Sequence, residues 1–217
     1  MLLARNPIGP PLCPQGAVVA IGAFDGLHRG HQALLRQLRA RADALGLAAA
    51  VVCFEPLPRQ YFKRGPVLRL SSFRERFERV RDAGIDRMLC LRFDERLSSM
   101  DAERFVEQIL VGRLAAREVW VGPAVRFGRG RDGDLELLEA AGRRHGFVAR
   151  AIAGMVEGGE RISSSRIREL LTASDFDAAD RLLGRRFSWS GRVVRGQQLG
   201  RQLGFPTANL RWPQDSL

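Results

Sequence analysis

Two short stretches of this chain hold residue types suited to phosphate chemistry. The first reads Gly22-Ala23-Phe24-Asp25-Gly26-Leu27-His28-Arg29-Gly30-His31 and directly follows the apolar run Ala17-Val18-Val19-Ala20-Ile21. A buried strand that runs into a helix N-terminus is where an α/β sheet collects phosphate, because unpaired N–H groups and the helix dipole both favour an anion there. Glycines let the backbone approach a ligand closely. His28 and His31 lie about one helical turn apart and can face one ligand. The second stretch, Ile162-Ser163-Ser164-Ser165-Arg166-Ile167-Arg168, precedes Glu169-Leu170-Leu171. Alone, a serine run before an apolar-periodic segment reads as a helix N-cap. Combined with the helix dipole and two arginines, with Arg168 folding back beside the helix start, it reads as an anion clamp. A polyphosphate between the two stretches would be held from both sides. Asp25 reads either as a ligand or as a turn residue.

The elements that must position these residues follow from the hydrophobic pattern. Nearly continuous apolar runs predict strands at 17–22, 48–54, 86–91, 117–121 and 147–152. Between them, helical periodicity predicts helices at 30–45, 72–83, 101–114 and 133–145, with shorter ones at 164–172 and 175–183. Ser71, Ser72 and Asp101 are start signals, and Gly84 and Gly146 are stop signals. Strands without polar alternation fit a parallel sheet covered on both faces. The repeating order predicts an α/β fold, a doubly wound, Rossmann-like parallel sheet with right-handed crossovers. Its ligand crevice lies beyond the carboxyl ends of the strands, where the 22–31 turn falls. After Gly184-Arg185-Arg186 the texture changes to β-type alternation with Gly196, Gly200, Gly204 and Pro206. We therefore expect domains at 1–186 and 187–217, the second being the first strands of an incomplete β-barrel.

Composition narrows the function classes. The chain has 217 residues, 45% of them hydrophobic, and a formal charge of +11. Its arginines are spread along the chain with acids interleaved, without a basic block or aromatic ladder, which argues against nucleic acid as a partner. No apolar run reaches the roughly 18 residues of a membrane span, and the proline-rich start lacks a signal-peptide core. Cys13, Cys53 and Cys90 show neither metal nor disulfide spacing. The expectation is a cytoplasmic protein with reduced thiols.

The pair of stretches, Gly-x-Phe-Asp-Gly-x-His-x-Gly-His early and Ile-Ser-Ser-x-x-x-Arg late, resembles the nucleotidylyltransferase superfamily. More closely, the chain resembles the prokaryotic bifunctional riboflavin kinase/FMN adenylyltransferases, the FAD synthetases. Phe54-Glu55-Pro56-Leu57-Pro58, Leu89 to Asp94 and Arg126 to Asp134 support this, and residues 191–210 resemble the opening of the family's riboflavin kinase module. The resemblance implies transfer of the adenylyl group of ATP to FMN, giving FAD and pyrophosphate, with Mg2+ carried on the ATP phosphates. It implies that His28, His31 and Arg168 act in catalysis. ATP would meet Gly22, Ala23, Phe24, Asp25, Gly30 and His31 on one side and Ser163, Ser164, Ser165 and Arg168 on the other. The flavin side would comprise Phe54, Pro56, Pro58, Ala124 and Phe127, although Phe54 and Phe127 read equally well as core. Thr207 and Asn209 match the motif that binds ATP phosphate and Mg2+ in a complete kinase module; kinase activity is not expected from these 217 residues.

Two departures stand out. Where the family carries Asn or Asp followed by Phe, this chain reads Pro123-Ala124-Val125. Ala124 offers no side-chain hydrogen bond and Val125 no ring, so weaker flavin binding is expected. An ATP-binding protein without catalysis, or a transferase for another acceptor, are the alternatives. The second departure is length: the sequence stops soon after Asn209.

Overall fold

The computed structural model describes residues 1–62, 68–157, 159–196, 200, 203–205 and 207–211. Its centre is a six-stranded, wholly parallel sheet. The strands are β1 (Leu2–Ala4), β2 (Ala17–Ile21), β3 (Ala48–Glu55), β4 (Arg87–Arg92), β5 (Ala116–Val121) and β6 (Val148–Ala151). Their order is β1-β4-β3-β2-β5-β6. The chain winds outward from β2 through β3 and β4 on one side, then through β5 and β6 on the other. The crevice of such a sheet opens where the winding reverses, between β2 and β5.

All five strands expected from the sequence form within a residue or two. Edge strand β1 was not expected; three residues carry too little pattern to register. The inner strands are buried on both faces, as their unbroken apolar runs require. One face packs against residues such as Ile109, Leu110 and Leu138, the other against Leu35, Leu38 and Val80.

Helices α1 (Arg29–Leu45), α2 (Pro58–Phe62), α3 (Phe73–Asp82), α4 (Glu95–Ser98), α5 (Ala102–Phe105) and α6 (Leu135–His145) connect the strands. Two of their starts carry side-chain caps where the sequence signals them. Ser72 and Glu75 make a reciprocal capping box on α3, and Asp101 caps α5. Gly146 ends α6 with a left-handed φ of 76°. The helix expected at 101–114 is α-helical only in its first turn. Its remainder, Val106–Arg113, is wound as a π-helix. Helical periodicity in sequence does not separate these windings. The short α2 and α4 also lacked enough periodicity to be anticipated.

Beyond the sheet, the two-residue strands β7 (Val156–Glu157) and β8 (Glu160–Arg161) form a hairpin. Helices α7 (Ser164–Thr172) and α8 (Phe176–Leu183) then pack around a small core containing Leu70, Ile167 and Leu183. Of the β-alternating stretch 187–195, only β9 (Arg192–Val194) is a strand, and it pairs antiparallel with β10 (Asn209–Arg211). Residues 197–199, 201–202 and 206 of the expected second-module motif lie outside the described residues.

Candidate active site

The turn after β2 enters α1 at the carboxyl end of the sheet. His28 is the N-cap residue: its Nδ1 accepts a hydrogen bond from His31 N at 3.3 Å. An imidazole nitrogen that accepts carries no proton, so the neutral ring holds its proton on Nε2 and can donate from there. The His28 and His31 rings stack, with centroids 3.8 Å apart and planes 16° from parallel. Buried Phe24 backs His31 at 5.2 Å. Burial pushes the His28 pKa down to about 4, and the nearby Arg161 charge adds to this. Burial, then His28 and Arg161, hold His31 well below its ordinary value. Both rings are neutral at pH 7. His31 Nδ1 is buried and has no partner among the described residues.

Gly30 has a more local role than the sequence suggested. A Cβ there would lie 3.2 Å from the His28 ring. The close approach it permits is that of the imidazole itself, which must lie across the helix start.

The serine stretch and the histidine turn meet. Ser163 caps α7, its Oγ accepting from Arg166 N at 3.2 Å. Ser164 Oγ donates to Asp25 O at 2.9 Å, joining α7 to the turn. Ser165 Oγ accepts from Arg59 at 3.0 Å. The hydroxyl protons of Ser163 and Ser165 thus remain available, whereas that of Ser164 is committed.

Asp25 proves to be a structural hub. Its carboxylate is 2% exposed and accepts from Leu70 N, Ser71 N and Ser71 Oγ at 3.0–3.1 Å. It also pairs with the Arg168 guanidinium, whose Nε donates to Leu68 O. Of the two sequence readings of Asp25, the turn residue fits this geometry. Arg168 keeps Nη1 unbonded among the described residues, so it can serve the loop and a phosphate together.

Three arginines around the site carried no motif that sequence reasoning could use. Arg76, fully buried, donates to Ala23 O and Phe54 O and pairs with Glu55, tying the carboxyl ends of β2 and β3 together. Arg185 donates to Gly26 O and Leu27 O. Arg161 lies directly before the serine stretch, near Gly122 and the histidines, without an acidic partner among the described residues. Its position beside Ile162-Ser163 was the one signal available for it.

The expected flavin residues divide. Ala124 and Pro123 are exposed on the turn after β5. Phe127 packs on Phe105 at 5.7 Å and against the core, as its alternative reading had it. Phe54 stands edge-on to Phe93 at 5.8 Å. Phe93 also meets Tyr61 and Phe62, and Phe62 is 66% exposed. Pro56 and Pro58 frame the turn between β3 and α2 that leads into this aromatic cluster. Sequence reasoning did not group Tyr61, Phe62 and Phe93, because Phe93 lies on a separate segment that only the fold brings to α2.

Comparison with known proteins decides the family. Residues 11–166 match the FAD synthetase family. The chain belongs to that family. Residues 183–217 of this FAD synthetase family member match the riboflavin kinase family. A Pseudomonas fluorescens bifunctional riboflavin kinase/FMN adenylyltransferase is 45% identical over 91% of the chain and 63% of its own length. The corresponding Escherichia coli K12 protein is 42% identical over 90% of the chain and 63% of its own length. The chain thus spans under two thirds of the length of these curated relatives. Among solved structures, a Streptococcus pneumoniae protein described as a macrolide-efflux protein has a TM-score of 0.81 at 26% identity, covering 100% of this chain and 70% of the other. A Francisella tularensis pantoate-beta-alanine ligase, at a TM-score of 0.52 and 13% identity over 85% of this chain and 78% of its own, shares the fold.

Proposed function

We propose that residues 1–186 form an FMN adenylyltransferase and that residues 187–217 open a riboflavin kinase module. The observation that carries the reading is the pair of neutral, stacked histidines at the start of α1, bonded through Asp25 to the serine-led start of α7. In this reading ATP lies in the crevice between the two helix starts. The FMN phosphate attacks the α-phosphorus, and the bond to the bridging oxygen of pyrophosphate breaks. The nucleophile is already an anion, so alignment and charge stabilisation do the catalytic work rather than a general base.

Each residue then has a role. The helix starts, Nε2–H of His28 and the His31 ring face the developing negative charge. Ser163, Ser165, Arg161 and Arg168 hold the outer phosphates, while the backbone of Gly22 to Asp25 lines the nucleotide. Tyr61, Phe62 and Phe93, beside Phe54, offer the isoalloxazine an apolar wall, which Ala124 and Val125 do not supply.

ATP enters as its Mg2+ complex. Among the described residues no three His, Cys, Asp or Glu side chains gather to hold a metal ion. Asp25, the carboxylate at the loop, is saturated by its own donors. The protein donors here do not fit a resident cation, and a metal carried by the phosphates suits Mg2+ chemistry. Thr207 and Asn209, both exposed, would serve phosphate and Mg2+ only within a complete kinase module.

No described helix is long and apolar enough to cross a membrane, and a cytoplasmic setting fits a biosynthetic transferase. The direct test is incubation with ATP, Mg2+ and FMN. FAD and pyrophosphate in equal amounts support the reading; ATP binding without FAD formation favours the binding-only alternative.

A further inference from the structure

The turn that carries His28 is strained. Phe24 and Leu27 hold φ of 52° and 39°, a region that non-glycine residues rarely adopt, and Gly26 lies between them at 76°. Such backbone is strained and persists only where its surroundings hold it. Asp25 anchors the turn through its carboxylate, and Arg76 takes Ala23 O. The last two carbonyls before His28 are held from the far end of the domain. Arg185 Nη2 donates to Gly26 O at 2.6 Å and Nη1 to Leu27 O at 3.4 Å. The same Nη1 reaches Leu183 O at 3.3 Å, and Gln32 Nε2 spans Leu27 O and Leu183 O at 2.9 Å each. Gly184, in the left-handed region at φ 71°, ends α8 and turns Arg185 back toward the loop.

Arg185 has no ion-pair partner among the described residues. Its charge faces backbone carbonyls, and Leu183 O belongs to the negative end of the α8 dipole. Burial lowers its pKa to about 10, with Arg79 opposing and Glu75 and Asp180 supporting the charge. It stays protonated at neutral pH. A permanent charge aimed at two carbonyls of a strained turn fixes where the next residue begins its helix.

We propose that Arg185 is a positioning residue for adenylyl transfer, holding the Gly26–Leu27 turn so that His28 and His31 present their rings to the ATP phosphates. The proposal rests on the adenylyltransferase reading. It makes the residue at the end of the transferase domain part of its phosphate site.

Arg185→Gln and Arg185→Lys test this in the full chain by steady-state kinetics and hydrogen exchange. Arg185→Gln is expected to lower kcat/KM for ATP about tenfold, the scale for losing charged hydrogen bonds that Gln32 partly backs up. KM for FMN stays unchanged, and amide exchange rises in residues 24–31 but not in α6 or β6. Arg185→Lys, which keeps the charge without the fork, falls between the two. Unchanged ATP kinetics in Arg185→Gln overturn the proposal. So does faster exchange spread over the whole domain, which marks a merely structural residue. If the unmodified chain makes no FAD, the parent reading fails, while local exchange still decides whether Arg185 holds the turn.

Discussion

After β2 the chain turns through Ala23 to Leu27, and side chains from α3, α7, the Leu70–Ser71 segment and the residues just after α8 bond to it. After β5, across the same crevice, Pro123 and Ala124 are exposed, and the tip is closed by one backbone bond from Val125 N to Gly122 O. Phe127 and Gly133 pin its base. In the adenylyltransferase reading proposed above, the contrast follows from what each turn would do. In-line displacement at phosphorus tolerates little misplacement, so the groups facing phosphate need a fixed frame. An acceptor wall needs area and a few polar groups, which different residues can supply. The turn after β2 is held by side chains from several elements, the tip of the turn after β5 by one backbone bond.

Breaking the frame should cost most. Asp25→Ala leaves the Arg168 charge buried without its carboxylate and unsatisfies Leu70 N and Ser71 N. We expect a loss of about 3–5 kcal/mol in urea unfolding. Pro123→Ala on the opposite turn should stay within about 0.5 kcal/mol. Equal losses would erase the contrast.

In the proposed function, His31→Ala removes a ring that faces the developing charge. Adenylyl transfer should fall roughly 10²–10³-fold, the scale for losing one oxyanion donor. Near-normal turnover, read by FAD formation, would remove His31 from the chemistry.

The histidine cap also predicts a pH dependence. Folding lowers the His28 pKa from 6.5 to about 4. Between these values the unfolded chain binds the proton and the folded chain does not. Its contribution is therefore complete above pH 6.5 and is lost as pH falls toward 4, by about 3 kcal/mol in all. Urea midpoints across pH 4–7 should show this fall together with one in the same direction from His31, and His28→Gln should reduce the total without abolishing it.

The smallest effect belongs to the acceptor turn. Ala124→Asn adds an amide where the resemblance to the FAD synthetases implies a polar side chain. FMN should bind a few-fold more tightly by fluorescence quenching, the worth of one net hydrogen bond at about 1 kcal/mol. An unchanged affinity would mean that the aromatic cluster around Phe93 carries the acceptor alone.

The sheet was legible because unbroken apolar runs alternate with helical ones, and the two candidate stretches stood out because each is contiguous; the fold brings them together. Roles inside them were less so. Sequence left Asp25 between ligand and turn residue, and only the fold brings Ser71 and Arg168 to it, 46 and 143 positions away. Arg76 and Arg185 looked like ordinary members of an arginine-rich chain, since burial and backbone partners leave no mark on spacing, and so did the exposed Arg161. The Tyr61–Phe62–Phe93 cluster was hidden because only the fold brings Phe93 to α2. The π-wound Val106–Arg113 escaped because its apolar pattern also suits an α-helix.

The central claim is that two bonded helix starts form an adenylyl-transfer site whose acceptor is a flavin phosphate. Following α-32P-labelled ATP with FMN and Mg2+ tests it most directly. Label should appear in FAD, unlabelled pyrophosphate should be released one for one, and both should be lost in His31→Ala. Tight ATP binding with no label reaching FMN would contradict it.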